Sequence, residues 1–240
     1  MKAMQVEIWS DVVCPWCYIG KRRFESALAS FKHRDQVEVI WKSFELDPSA
    51  PRTSEETLDA MLSRKYGMSL QRAAEANARV TALAAREGLD YHLEKARPGN
   101  TFDAHRLIHL AAKHGLQGEM KERLMRAYFS EGRPVGDVET LVELAADVGL
   151  DAEEVRGALS GQTCADEVVA DEQEARELGI NGVPFFVVDE KYGISGAQPA
   201  ELFQKALEQA WAESHPLIRV SATNEDAGSC EGESCTPGSA

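Results

Sequence analysis

A chain of 240 residues with 43% hydrophobic and 28% charged residues has an ordinary globular make-up, and it is long enough for one large domain or two that share a core. Its formal net charge of −14 repels phosphate backbones and anionic lipid, so nucleic acid and membrane surfaces are excluded as expected partners. No apolar run approaches the ~20 residues of a bilayer span, and Met1-Lys2-Ala3-Met4 leads straight into a strand-like segment with no apolar signal core, so a cytoplasmic location is expected.

Val6-Glu7-Ile8-Trp9 alternates as a short strand and runs through Ser10-Asp11-Val12-Val13 into Cys14-Pro15-Trp16-Cys17. From Pro15 a helix is expected: Ile19, Phe24, Leu28 and Phe31 recur at roughly helical spacing, and proline suits the first turn, where its missing N–H costs nothing. Val37 to Leu46 is rich in β-branched and aromatic residues and stops at Asp47-Pro48, a second strand. Strand, helix, strand is a βαβ unit, whose crossover rule places the two strands parallel. From about Ser54 to Leu178 the periods are helical, punctuated near Gly67, Gly88, Gly99, Gly115, Gly132 and Gly149, which predicts six or seven helices. Val183-Pro184-Phe185-Phe186-Val187-Val188, then Asp189-Glu190, then Lys191 to Gly196 reads as a hairpin, and a last helix runs from Pro199 with Leu202, Phe203, Ala206, Leu207 and Trp211 on one face. Beyond Val220 the chain is polar and too poor in apolar residues to offset its ordering entropy, so a mobile tail is expected.

Five cysteines, at 14, 17, 164, 230 and 235, hold the chemistry. In a reducing compartment paired cysteines are more often redox groups or metal ligands than structural disulfides. A zinc site would need two further ligands at matching spacing, and none follows within the first hundred residues in a ribbon or finger pattern; no metal is expected. A Cys-x-x-Cys at a helix start sets its first sulfur beside unsatisfied N–H groups and the positive end of the helix dipole, which favours the thiolate that attacks disulfides. Cys14 is therefore the expected nucleophile, and Cys17, one turn further in, the thiol that resolves the mixed disulfide.

Ser10 to Gly20 around Cys14-Pro15-Trp16-Cys17, the helical stretch with Asn100-Thr101-Phe102-Asp103-Ala104-His105-Arg106, and Gly182-Val183-Pro184-Phe185-Phe186 together resemble the DsbA-like family of thioredoxin-fold proteins, most of all the cytosolic FrnE-type oxidoreductases. The resemblance spans roughly 4–213. It implies an α/β, thioredoxin-like core interrupted by an all-helical insertion: residues 1–53 and 179–220 for the core, 54–178 for the insertion and 221–240 for the tail. It also implies a cis Val183–Pro184 bond lying against the Cys14 sulfur, with Pro15 and Trp16 shaping the site and Phe102 and His105 lining a substrate groove. Partners would be polypeptides carrying thiols or disulfides, bound by strand addition beside the proline. No cofactor beyond the redox-active disulfide is implied, with glutathione or a thioredoxin-type reductant exchanging electrons. Direction of electron flow and oligomeric state are not written in these motifs.

Cys230 and Cys235 flank Glu231-Gly232-Glu233-Ser234 and can close a small disulfide loop. The adjacent glutamates disfavour thiolate there, which suits an auxiliary electron relay better than a primary nucleophile; an incidental disulfide or metal-scavenging pair is the plainer reading. Cys164 reads as a small apolar residue, and Lys21, Arg22 and Arg23 as a solvated helix face. A glutathione-dependent transferase or isomerase on the same fold would need only one serine or cysteine, so the second thiol at 17 speaks against it. A redox-regulated chaperone that holds unfolded clients would need neither cysteine for catalysis. Periplasmic DsbA proteins commonly carry histidine where Trp16 stands; without that polar partner the thiolate is less stabilised and the couple should be less oxidising than DsbA. Equilibration with glutathione measures this, and a potential as high as DsbA's contradicts it.

Overall fold

The computed structural model describes residues 3–215 throughout and, further on, the backbone at 229–231 and 234–236. Strand β1 (Met4–Ser10) leads through a tight turn into α1 (Pro15–Ser30), a short 3-10 turn and β2 (Val37–Ser43). Seven α-helices follow: α2 (Leu58–Tyr66), α3 (Leu70–Arg86), α4 (Phe102–Lys113), α5 (Gln117–Arg126), α6 (Val138–Asp147), α7 (Ala152–Ser160) and α8 (Ala165–Glu177), with a π-turn at Ala127–Glu131. The chain then returns through β3 (Phe185–Val188), β4 (Tyr192–Ser195) and α9 (Ala200–Ser214). Several of these helices start where a side chain replaces missing backbone partners: Thr57, Ser69, Asp137 and Asp151 each accept from an N–H of the first turn. Gly67 and Gly132 end α2 and the π-turn in the left-handed region that glycine enters without steric cost.

The four-stranded sheet has the order β2-β1-β3-β4. β1 and β2 are parallel, in register Met4↔Val37 to Ser10↔Ser43, as the βαβ reading requires, and β3 runs antiparallel to β1 with Trp9 opposite Phe185. β3 and β4 form the expected hairpin, turning on Asp189 and Glu190, both at positive φ. β2 ends at Ser43, short of the expected Leu46, because the backbone N–H groups of Glu45 and Leu46 leave the ladder and donate to the carboxylates of Glu172 and Asp11.

Alternation along β1 sends side chains to both faces. Val6 and Ile8 meet α1 and α9 around Phe24, Phe186 and Phe203, whose ring centroids lie 4.5–5.8 Å apart. Trp9, fully buried, faces the other way against Ala175 and Ile180, and its indole N–H donates to the Asp171 carbonyl of α8 at 3.0 Å. The helical insertion therefore closes the second face of the sheet. It also covers the β2 edge, where Gln117 of α5 accepts from Trp41 N–H and donates to Trp41 C=O, both at 3.0 Å, in place of a neighbouring strand.

Lys21, Arg22 and Arg23 are not a solvated face. Lys21 is 5% exposed, and both it and Arg22 pair with Glu122 of α5, which also accepts from the Tyr18 hydroxyl; Arg23 pairs with Glu87. The reason is the insertion, which packs on the side of α1 that would otherwise meet water.

The expectation of a mobile tail falls mostly outside the described residues. Within it, β5 (Ser229–Glu231) and β6 (Ser234–Thr236) pair antiparallel, with Cys230 directly opposite Cys235.

Burial raises the Glu122 carboxyl, but Arg22, Lys21 and Tyr18 outweigh it and hold it down from 4.5 to about 2. A depressed carboxyl contributes stability that is complete above its ordinary range and is lost as the pH falls toward 2. Glu122→Gln should therefore cost about 1–2 kcal/mol at pH 7, after screening of a partly exposed group, and much less at pH 2, as read by urea unfolding at both pH values.

Candidate active site at the dithiol

Cys14 is the N-cap of α1, with extended backbone (φ −86°, ψ 113°), Pro15 following it and no acidic residue in the first turn. The turn is held by Cys14 N–H donating to Asp11 C=O at 3.3 Å and Cys17 N–H donating to Cys14 C=O at 3.0 Å. From the insertion, the Tyr91 hydroxyl donates to the Pro15 carbonyl at 2.8 Å, and its ring stacks on Phe129 and Tyr18. Both thiols are free, Cys14 at 4% exposure and Cys17 at 1%.

The Val183–Pro184 peptide is cis, and the Val183 carbonyl lies 3.7 Å from Cys14 Sγ. The Pro184 carbonyl is tied to β4 by Gly196 N–H at 2.8 Å. Gly20 makes this approach feasible: a Cβ built there would stand 3.0 Å from Pro184 Cγ and 3.4 Å from Ala197 Cβ. The α1 helix and the proline loop thus touch through the absence of a side chain.

A cavity of about 490 Å³ opens beside Cys14 and Val183. Its walls carry the apolar side chains of Val13, Leu46, Leu58, Met61, Leu62, Leu93 and Phe129 together with polar ones at Ser49, Ser54, Asn77 and Thr101 and the ion pairs Lys65–Asp47 and Arg64–Glu56. Trp16, 43% exposed, forms part of the wall. The apolar face of α2 was not singled out in the sequence, because Leu58, Met61 and Leu62 carry only the ordinary signature of a helix packing inward.

Of the two residues expected along a groove, neither lines the cavity beside Cys14. His105 is 1% exposed, with Nε2 3.4 Å from Asp11 Oδ1. Phe102 is half-buried and off the cavity wall, where Thr101 stands instead. The cause is the position of α4, which is covered on most sides by neighbouring helices, so that every residue from Asp103 to Ile108 is buried. The start of α4 is helped by Asn100 Oδ1, which accepts from Phe102 N–H at 2.9 Å, while the Thr101 side chain makes no cap bond. Cys164 is buried at the head of α8, and burial raises its thiol above the usual range, with Lys113 opposing. Cys230 and Cys235 meet only each other's backbone in the described ladder.

Burial pushes the Cys17 thiol well above its ordinary range, and the neighbouring Cys14 sulfur adds to this, while Lys121 and the Asp11 backbone N–H oppose it. Lys121, with no exposed surface, donates to the Ser10 carbonyl at 3.1 Å, and burial brings its ammonium down to about 8 against the pull of Cys17, Asp11 and Cys14. Neither Asp11 nor Lys121 was expected at the site. The available signals were a carboxylate just before the motif and a lysine on the buried stripe of α5 with Met120, Leu124 and Met125.

A parallel β1–α1–β2 unit, an antiparallel β3–β4 return, a dithiol at the head of α1 facing a cis-proline and a helical domain between β2 and β3 together define a thioredoxin-like fold with a helical insertion. The fold class expected from the sequence is the one found. The chain belongs to the DSBA-like thioredoxin domain family, which it matches over residues 5–208. It is 51% identical to a probable DsbA oxidoreductase from Streptomyces coelicolor, whose structure covers 97% of this chain and 98% of its own with a TM-score of 0.85. It is 31% identical over 206 residues to the uncharacterized protein YwbO of Bacillus subtilis (strain 168), spanning 85% of this chain and 96% of that one. The cytosolic disulfide reductase DsbM from Pseudomonas aeruginosa, in its structure with GSH, shares the fold at 19% identity and a TM-score of 0.62, over 85% of this chain and 98% of that chain. Membership in this family supports an oxidoreductase acting on thiols and disulfides.

Gly20→Val should push the Pro184 loop off the dithiol and lower thiol–disulfide exchange by roughly tenfold or more, given that about 1 Å of misplacement costs on the order of 10²-fold. Gly20→Ala, which needs only a few tenths of an ångström of give, should lose far less. Equal rates for the two variants in a glutathione-coupled exchange assay would contradict this.

Proposed function

We propose that this protein is a thiol–disulfide oxidoreductase of polypeptide substrates that works through Cys14 and Cys17. The observation that carries the reading is the pairing of a free Cys14 thiol, at the head of α1 and 3.7 Å from the Val183 carbonyl, with a free and more deeply buried Cys17 one turn behind it. In the reductive direction the Cys14 thiolate attacks a substrate disulfide, forming the mixed disulfide and expelling one substrate thiolate. Cys17 then loses its proton and attacks Cys14, the Cys14–substrate bond breaks, and the second substrate sulfur leaves with its electron pair. The substrate gains two electrons and the dithiol becomes a disulfide; run backward, the same steps oxidise a substrate dithiol. Glutathione or a thioredoxin-type protein resets the couple, and the potential of that partner sets the direction.

Polypeptide is the favoured substrate class for two reasons. The backbone at Val183 offers main-chain groups to an extended segment, a mode that tolerates many sequences, and the cavity beside Cys14, with both apolar and polar walls, has room for a bulky side chain next to the reacting cysteine. The functional setting is cytoplasmic. Cys230 and Cys235, set opposite each other in the β5–β6 ladder, serve as an auxiliary pair that passes electrons to or from Cys14 and Cys17 between cycles.

Insulin reduction and refolding of scrambled ribonuclease test this reading. Cys14→Ser should abolish both activities, and Cys17→Ser should accumulate a mixed disulfide at Cys14, visible by mass. Cys230→Ser with Cys235→Ser should slow repeated turnover several-fold while leaving the first turnover intact. Full activity without Cys14 or Cys17 would overturn the main assignment, and unchanged turnover in the double tail variant would remove the relay.

A further inference from the structure

Arg23 lies one helical turn beyond Gly20 on α1, the spacing that sets two side chains on one face of a helix. That face meets the loops around the proline: Pro184 Cγ and Ala197 Cβ stand 3.0 and 3.4 Å from a Cβ built at Gly20. Where Gly20 makes room, Arg23 makes bonds. Its Nη1 donates to the Ala197 carbonyl at 2.7 Å, and its Nε donates to Glu87 Oε1, also at 2.7 Å. One rigid, planar guanidinium therefore joins α1 to the turn after β4 and to the end of α3 in the insertion.

From Ala197 the bonds continue to the dithiol. Gly196, held at φ 81°, donates its N–H to the Pro184 carbonyl at 2.8 Å, and the preceding Val183 carbonyl lies 3.7 Å from Cys14 Sγ. Gln198 closes the turn, donating through its backbone N–H to Gly196 C=O at 2.9 Å and through its side chain to Ser195 C=O at 2.8 Å. A turn cross-linked in this way shifts as a unit, so the bond at Ala197 sets where Val183 stands relative to α1.

The brace on the far side of the guanidinium is placed against local preference. Glu87 is the C-cap of α3, where the negative end of the helix dipole disfavours a carboxylate. Departures of this kind from a local rule are expected where a residue serves a tertiary purpose. The Glu87 backbone is pinned, because its N–H and that of Leu89 both donate to Ala84 C=O at 3.0 Å. The same α3 carries the cavity wall: Asn77 donates to Asp59 of α2 at 2.6 Å. An isolated surface ion pair would add little here. This one is 21% and 25% exposed, and its cation is already committed to the turn beside the proline.

Resting on the dithiol reading above, the geometry points to Arg23 as a positioning residue for polypeptide substrates: braced by Glu87, it holds the Ala197 turn so that the main chain at Val183 stands where an extended segment can pair with it as the substrate sulfur meets Cys14. Its bonds go to Ala197 and Glu87, so it acts on the substrate through the turn. The need for it differs between substrates. A polypeptide must meet Cys14 and the Val183 backbone together, whereas a small disulfide has no main chain to pair and needs only the sulfur.

The test compares two disulfides that share one leaving thiol. Reduced full-length protein is mixed either with an extended peptide whose single cysteine is joined in a disulfide to 2-mercaptoethanol, or with bis(2-hydroxyethyl) disulfide, and substrate loss is followed by mass after an acid quench. Arg23→Gln should lower the second-order rate constant for the peptide about tenfold more than that for the small disulfide. Arg23→Lys keeps the charge but offers no fork to serve both partners, so the ratio should fall by about threefold. Glu87→Gln should lower the same ratio, and adding it to Arg23→Gln should change little further, because Glu87 acts through the guanidinium. These last two variants keep the test open should Arg23→Gln fold poorly. Equal losses for the two disulfides in every variant, no loss in any, or additive losses in the double variant would overturn the proposal. Should the unsubstituted protein react with neither disulfide at Cys14, the dithiol reading itself fails, a result distinct from a changed ratio after normal capture of the small disulfide.

Discussion

A lysine with no exposed surface lies where the C-terminal end of β1 meets the helical insertion, and much of the site depends on that junction. An ammonium is costly to bury unless opposite charge and hydrogen-bond acceptors surround it, and Lys121 has them only because α5 docks against the Ser10–Asp11 turn. The neighbouring residue, Glu122, performs the reverse service for α1 by gathering Lys21, Arg22 and Tyr18. Two consecutive residues of one helix thus tie the insertion to both elements that carry the dithiol.

From that junction the site takes its shape. Tyr91 holds the Pro15 carbonyl, Gly20 lets Pro184 approach α1, and α2 encloses the space beside Cys14 with apolar side chains. The insertion is consequently part of the candidate site as well as a cover for the sheet. It supplies one wall of the cavity, and it carries Lys121 to the Ser10 carbonyl, where the ammonium opposes the rise that burial causes at the Cys17 thiol.

Local signals accounted for most of the framework. The β1–α1–β2 unit was legible because alternation, a Cys-Pro start and β-branched runs are properties of neighbouring residues. The hairpin at Asp189-Glu190 and the succession of helices ending near glycines were legible for the same reason. The reading went astray where a residue's environment comes from far along the chain. His105 looked like a groove residue and Lys21–Arg23 like a wetted face, because a single sequence does not show which side of a helix another helix will cover.

The sequence by itself determined the order of elements, the dithiol at a helix start and the distant proline, since each is encoded by residue type and short-range spacing. Only the tertiary structure decided which polar groups gather in the interior at the end of β1, beside the dithiol turn. Asp11, His105 and Lys121 are far apart along the chain and have no shared pattern, and they meet because the sheet end and two helices of the insertion pack into one interior. Charge and burial act through space, so their effect on Cys17 exists only once those elements have come together.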